Sequence, residues 1–155
     1  MRRSRRLHAR WVIPPASVPA YRRYLTRSRR ATQVAYFVVR RDTNELAGVI
    51  NVSEIVRGNF QSAYLGYYAF TPHAGHGLMR EGLTHVIEQA FTKLKLHRLE
   101  ANIQPANNPS IRLVRSLNFR CEGLSLRYLH IAGGWRDHQR WALLKEDWQH
   151  FLTRR

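Results

Sequence analysis

The sequence predicts one domain of α/β (α+β) class, and three observations carry that prediction. Two stretches read as β-hairpins: residues 33–40 (QVAYFVVR) turn at 42–45 into a second strand over 46–55, and residues 123–131 turn through Ala132-Gly133-Gly134 into 135–144. Between the hairpins, the aromatic-rich run 64–70 (YLGYYAF) ends at Thr71-Pro72. The glycine-rich turn His73-Ala74-Gly75-His76-Gly77 then opens a segment in which Met79, Leu83, Val86, Ile87, Ala90 and Leu94 recur at helical spacing. The 155 residues, 44% of them apolar, suffice for one core, and no repeat or low-complexity linker divides them. Residues 1–155 are therefore read as a single domain.

Taken in order, residues 1–15 are arginine-rich and show neither helical nor strand period, so they read as a basic arm. Ser17 is placed to cap a helix with Pro19 in its first turn; Tyr21, Tyr24 and Leu25 form its apolar stripe, and Arg22, Arg23, Arg27, Arg29 and Arg30 its outer face. The first hairpin follows, then a loop over 56–62 around Gly58-Asn59. The strand 64–70, apolar throughout, is expected to be buried on both faces. A helix runs from Leu78 to about Lys95, and a strand over 97–104. Asn108 is expected to cap the next helix with Pro109 at its first position. Ile111, Val114 and Leu117 face the core, and Asn118 closes the helix in the left-handed conformation. In the last strand, alternation puts Trp135, Asp137, Gln139 and Trp141 on one face and Arg136, His138 and Arg140 on the other.

Composition excludes several classes. The single cysteine, Cys121, cannot form an internal disulfide, and the eight histidines follow no metal-ligand spacing, so neither a disulfide scaffold nor a metal site is expected. No run approaches the ~18 apolar residues of a membrane span, and the three prolines after Ser4-Arg5-Arg6 spoil an export signal. A cytoplasmic location is expected. The formal charge of +16 is lopsided, because no acidic residue precedes Asp42. Such a surface favours polyanions such as RNA or ribosomes. Only three of the basic residues are lysines, so a compositional bias toward arginine fits the excess equally well.

The strand, glycine turn and helix make a phosphate-binding arrangement. The first amides of a helix lack carbonyl partners and carry about half a positive charge from the helix dipole, and glycines at 75 and 77 would let an anion approach them. Alone, the turn also fits an ordinary strand-to-helix connection. The helix starting near Asn107 likewise follows a strand end, so the two helix N-termini could converge on one ligand in a crevice between neighbouring strands.

With its HAGHGLM turn at 73–79, Asn107-x-x-Ser110 helix start, Leu117-Asn118-Phe119 exit, Glu122-Gly123 and GGWRDH hairpin at 133–138, the chain resembles the GNAT superfamily of acetyl-CoA-dependent N-acetyltransferases. The likeness is closest to its RimJ/RimL branch, which acetylates the N-terminal amine of ribosomal proteins, and covers about residues 33–148. The resemblance implies a mixed, mostly antiparallel twisted sheet flanked by helices, with splayed central strands. It also implies that the family's first strand and helix are missing here, residues 1–15 being a basic arm or a remnant of that helix. An upstream coding segment or a homodimer partner is expected to supply them. The family's turn usually carries Gln or Arg where Ala74 stands, so His73 or His76 is expected to replace that polar side chain.

The resemblance also implies roles. Backbone groups around Tyr68, Ala69 and Phe70 would meet the pantetheine arm of acetyl-CoA, one N–H polarising the thioester carbonyl. The amides of Ala74, Gly75, His76, Gly77, Leu78 and Met79 would hold the pyrophosphate. Asn107 and Ser110 would sit near the sulfur, with Ser110 Oγ protonating the leaving thiolate; an ordinary helix-start role for that serine stays open. No carboxylate lies in strand 64–70, which leaves Glu122, Asp137 or His138, acting through water, as the base. Asp137 and His138 are also substrate candidates, or simply a salt-bridged hairpin tip. A peptide α-amine, with pKa ~7.7–8.0 against ~10.4 for lysine, needs less help from a base. The expected activity is acetylation of a protein N-terminus, ribosomal in type, with RNA or ribosome contact through the basic arm. The alternatives are acetylation of a small-molecule amine, which a cationic polyamine fits poorly at +16, and a catalytically idle relative that binds RNA.

Overall fold

The computed structural model describes residues 2–154. A 3₁₀ turn at Arg2–Ser4 leads into α1 (Arg5–His8) and α2 (Val18–Ser28). Then come β1 (Val34–Val39), β2 (Leu46–Val56), β3 (Ser62–Ala69), α3 (Leu78–Thr92), β4 (Arg98–Ile103), α4 (Asn108–Arg115), β5 (Arg120–Ile131), β6 (Gly134–Leu144) and α5 (Lys145–Thr153). The six strands form one sheet in the order β1-β2-β3-β4-β6-β5. Every neighbouring pair is antiparallel except β3 and β4, which run parallel.

That parallel pair organises the molecule. β3 and β4 are in register only from Ser62↔Arg98 to Tyr64↔Glu100, after which β3 stays with β2 as far as Ala69 and β4 stays with β6 as far as Ile103. The sheet therefore splits between its central strands, as expected, and the split opens toward the C-terminal ends of both.

Two apolar clusters sandwich the sheet. On one face Leu83, Val86, Ile87, Ala90 and Phe91 of α3, with Ile111 and Val114 of α4 and Trp148 of α5, cover Ile50, Val52, Leu65 and Leu99. Each such buried side chain contributes about 1.5–3 kcal/mol. On the other face Tyr24 of α2 packs with Val49, Tyr68 and Phe70. β3 thus has a cluster on each side of its C-terminal end, yet Gly66 in its middle is exposed and Ser62 and Tyr64 are only half-buried, so burial on both faces holds for that end and not for the whole strand.

Several boundaries move for identifiable reasons. α3 ends at Thr92, not near Lys95, because Lys95 takes a positive φ of 55°. α4 is capped by Asn107, one residue earlier than expected: Asn107 Oδ1 accepts the Ser110 N–H at 3.3 Å, which puts Asn108 inside the helix and Pro109 in its first turn. Asn118 has φ 68°, as expected. α5 has no side-chain cap to announce it and is held by Trp148, whose Nε1–H donates to Glu88 Oε2 at 3.0 Å. The segment read as a featureless arm is also ordered in part. The Thr71 N–H donates to Ser4 Oγ at 2.9 Å, and Gln104 Nε2 donates to the Arg10 carbonyl at 3.0 Å. These tertiary bonds tie the N-terminal segment to the ends of both splayed strands.

Candidate active site

The turn before α3 is built to leave amides free. Gly75 and Gly77 have φ of 86° and 83°, and Gly77 occupies the N-cap position with no side chain to cap the helix. The Arg80 and Glu81 N–H groups both bond the Gly77 carbonyl, at 2.9 and 3.1 Å, which leaves the amides of Leu78 and Met79 without a backbone partner among the described residues. Nothing lies within 4 Å of where a Cβ at 75 or 77 would stand. Glycine is thus required there by backbone conformation, and the space in front of the amides is open.

Met79, with Gly75 and Gly77 of the turn, borders a cavity of about 460 Å³. Tyr68, Ala69, Ala74, Gly75, Gly77, Met79, Asn107 and Ser110, all singled out from the sequence, line it together. Met79 is planted by close packing: a Cβ on Gly48 would come within 2.2 Å of its sulfur. Arg80, from the first turn of α3, and Arg112, from the last turn of α4, also line the cavity, and both are exposed. The sequence reading missed them because arginine is so common in this chain that two more carried no signal.

Three expected residues stand elsewhere. Phe70 donates its N–H to the Ala47 carbonyl at 2.7 Å and its ring belongs to the second core cluster, so it offers this cavity neither backbone nor side chain. Neighbouring strand residues point their amides to opposite sides, so it is Ala69 and Tyr67 that direct theirs toward the split. The side chains of His76 and Leu78 line a different groove, between β1 and α3, and only the Leu78 amide remains at the turn. Nor does either histidine replace the polar side chain absent at Ala74. His76 Nδ1 bonds the Ala74 carbonyl at 3.1 Å, and His73, buried, faces Glu45 Oε2 at 3.5 Å.

The cavity holds a hydroxyl pair that the sequence reading did not find. The Tyr67 hydroxyl lies 2.6 Å from Ser110 Oγ. Burial pushes the Tyr67 phenol up to about 12, the bond to Ser110 pulling the other way, so at neutral pH the pair carries its protons. From the sequence, Tyr67 read as one more aromatic in a buried strand. What singles it out is position: on the strand edge opposite the first turn of α4.

His8 is another omission. It is 4% exposed, donates from Nε2 to the Ala69 carbonyl at 2.7 Å, and stacks edge-on against Tyr68 and Phe70. With Leu7, Trp11 and Val12 it forms the wall that the N-terminal segment contributes. On that side of the sheet a groove of about 650 Å³ is lined by Tyr21, Tyr24, Phe37, Tyr68 and Phe70, with Arg3 as its single charged residue. The Tyr68 hydroxyl is buried there without a partner, and burial raises its pKa.

The candidate bases separate. Glu122 is gripped by Arg98, whose Nη1 donates to its Oε1 at 3.1 Å and whose Nη2 bonds the other oxygen; these bonds hold the carboxyl below the usual range. Arg98 begins β4, so this pair sits at the closed end of the split, far from the cavity. Asp137 spends Oδ1 on the Arg127 N–H at 2.7 Å, pinning the irregular stretch of β5 between Ser125 and Leu129, and does not line the cavity beside α3 and α4. This hydrogen bond replaces the expected salt-bridged tip. His138, 2% exposed, does reach the split.

Two helix starts, an open strand edge and a hydroxyl pair thus surround one cavity in a split sheet. Residues 1–120 match the acetyltransferase (GNAT) domain family. The chain belongs to the GNAT acetyltransferase family. Among its relatives, the ribosomal protein uS5-alanine N-acetyltransferase of Escherichia coli (strain K12) is 43% identical over 107 residues, 69% of this chain and 55% of that protein. The chain spans little more than half the length of such curated relatives. Among solved structures, the ribosomal-protein-S5-alanine acetyltransferase of Vibrio fischeri superposes with TM-score 0.82 at 27% identity, covering 95% of this chain and 85% of that one. The spermidine N-acetyltransferase of Vibrio cholerae, solved with CoA and spermine, superposes with TM-score 0.81 at 20% identity, covering 95% and 87%, a likeness of fold alone. Among the described residues no helix is long and apolar enough to cross a membrane, and no group of three or more metal-ligating side chains occurs.

Proposed function

We propose that this GNAT chain is an acetyl-CoA-dependent N-acetyltransferase acting on the N-terminal α-amine of a protein, ribosomal in type, in the cytoplasm. The observation that carries the reading is the convergence of the uncapped start of α3, the capped start of α4 and the edge of β3 on one cavity. Acetyl-CoA would supply an acetyl group as a thioester, and CoA is bound in the Vibrio cholerae neighbour.

The chain's own groups fit each part of that molecule. The Leu78 and Met79 amides and the Arg80 and Arg112 guanidiniums suit a diphosphate. The edge of β3 at Tyr67 and Ala69, where only the Ala69 carbonyl is taken, by His8, suits the amides of the pantetheine arm and, with one N–H, the oxygen of the thioester carbonyl. The amine nitrogen bonds to the carbonyl carbon as the carbon–sulfur bond breaks, and the Ser110–Tyr67 pair is placed to give the departing sulfur a proton.

The groove on the α2 face supports that acceptor class. It has no carboxylate to receive a polyamine, while its unpartnered Tyr68 hydroxyl suits a peptide carbonyl. The exposed arginines of α1 and α2 would favour an acidic, ribosomal surface. Incubating the chain with acetyl-CoA and N-terminal hexapeptides, with spermidine in parallel, tests the reading by mass spectrometry. Acetyl on the peptide α-nitrogen is expected, at rates at least tenfold above spermidine. Faster acetylation of spermidine would move the chain to the small-molecule class, and salt-sensitive RNA binding without turnover would move it to the idle one.

A further inference from the structure

Between β3 and β4, where the sheet splits, lies a slot of about 130 Å³. The cavity side of the slot is formed by Tyr67 and Ser110. The α2 side is formed by Gly66, Asn102, His138 and the Trp11–Val12 stretch. Two groups there have unused hydrogen-bonding capacity. Asn102 Oδ1 is buried with no partner. His138 Nδ1 lies 2.9 Å from the Arg136 carbonyl, and since a carbonyl can only accept, the proton of the neutral ring is on Nδ1 and the lone pair on Nε2. The slot therefore presents two acceptors and, from this pair, no donor. A water occupies about 30 Å³ and requires two to four polar partners, so both the volume and the lining call for one.

We propose that a water in this slot, donating one hydrogen to Asn102 Oδ1 and the other to His138 Nε2, takes the proton from the acceptor amine, and that His138 is its final base. This rests on the acetyltransferase reading above. The proton balance closes through bulk water. As the amine nitrogen bonds to the acyl carbon, its N–H proton passes to the water oxygen, and the water's other hydrogen passes to His138 Nε2. The resulting imidazolium keeps Nδ1–H on the Arg136 carbonyl and returns its proton to bulk water when product leaves. The proton received by the sulfur comes from the Ser110–Tyr67 side, which takes a replacement from bulk water, so donor and acceptor of protons lie on opposite sides of the sheet.

The surroundings suit an imidazole base. Tyr67 approaches from β3 and Tyr128 from β5, the latter ring edge-on at 6.3 Å. Tyr64 beyond it stays protonated, its hydroxyl pushed up to about 12, first by its bond to Tyr128. Arg136 and Arg140 flank His138 on its own strand and are exposed, and α4 and the N-terminal segment present no charge to the slot. Glu100, two residues before Asn102 on β4, is paired with Arg98. No carboxylate lines the slot, so Nε2 of His138, left with its lone pair by the Nδ1–H bond to the Arg136 carbonyl, is the proton acceptor that it offers.

The test combines kinetics with a measurement that needs no substrate. Nitrogen-15 NMR of the free chain should show His138 as the Nδ1–H tautomer; an Nε2–H tautomer overturns the proposal. In peptide acetylation, His138→Gln keeps a hydrogen-bond acceptor for the water but cannot take its proton. It should lower kcat about 100-fold, abolish the rise of rate on the acid side of the pH profile, and leave acetyl-CoA affinity unchanged. Asn102→Leu, which loosens the water without touching the base, should lower kcat about tenfold and keep that limb. Unchanged kcat and pH profile in His138→Gln overturns the inference and leaves the acetyltransferase reading standing. Should His138→Gln fail to fold, the tautomer and Asn102→Leu decide, an unaltered rate in the latter counting against the water. A wild-type chain that binds acetyl-CoA but acetylates no amine defeats the reading of function and this inference with it.

Discussion

Two helices point their N-termini into the same cavity, and they begin in opposite ways. α4 starts on Asn107, whose Oδ1 takes the Ser110 N–H, so its first turn is finished by the chain itself. α3 starts on Gly77, which has no side chain to offer and leaves the Leu78 and Met79 amides open. A closed start fixes the side chains it carries, here Ser110 against Tyr67. An open start keeps its field and its donors for something from outside. Of two similar helix ends, the one missing its cap marks the anion site, and the capped one supplies the positioned hydroxyl.

Closing the open start should have the largest effect. Gly77→Asp puts a carboxylate where an N-cap belongs; aspartate tolerates a positive φ better than most residues and would itself bond the free amides. Acetyl-CoA affinity should fall at least 100-fold by calorimetry while Tm moves by only a few degrees. A parallel loss of both would mean that the glycine serves the fold alone.

Removing the hydroxyl that the closed start positions should cost less. Tyr67→Phe should lower kcat about tenfold with KM within a factor of two. The same residue predicts a pH effect on stability. Its folded-state pKa of about 12 lies above the ordinary 10.0, so its contribution is fully present below pH 10 and is lost as pH rises toward 12. Alkaline denaturation curves of Tyr67→Phe should therefore fall less steeply than wild type in that window.

Opening the closed start comes next. Asn107→Ala should destabilise the chain by about 1 kcal/mol, read as a lower denaturation midpoint, and lower kcat by letting Ser110 drift, with acetyl-CoA affinity changed less than threefold. The smallest effect is expected from Gly48→Ala. Its new methyl must displace the Met79 thioether from 2.2 Å, which shifts one wall of the cavity and should weaken acetyl-CoA binding a few-fold.

How much of this was legible in the sequence depended on whether the signal was local. The glycine turn, the strand before it, both hairpins and the Asn118 exit are written in neighbouring residues, and they were found. The cap of α4 was misplaced by one position because Asn107 and Asn108 are chemically alike, and only the bond to Ser110 tells them apart. Tyr67 and His8 gain their places from partners 43 and 61 residues away in the chain, Tyr67 with Ser110 and His8 with Ala69, and no periodicity reports such pairs. Glu122 and Asp137 looked available as bases because a sequence does not show which carboxylates are already taken by Arg98 and by the Arg127 amide.

The comparison of the two helix starts is tested most directly by following backbone amides of the nitrogen-15-labelled chain as acetyl-CoA is added. The Leu78 and Met79 amides should shift downfield as they gain an anionic acceptor, while the Ser110 amide, already bonded to Asn107, should move little. Saturable binding that shifts Ser110 and leaves Leu78 and Met79 unmoved would contradict the assignment of the uncapped helix as the anion site.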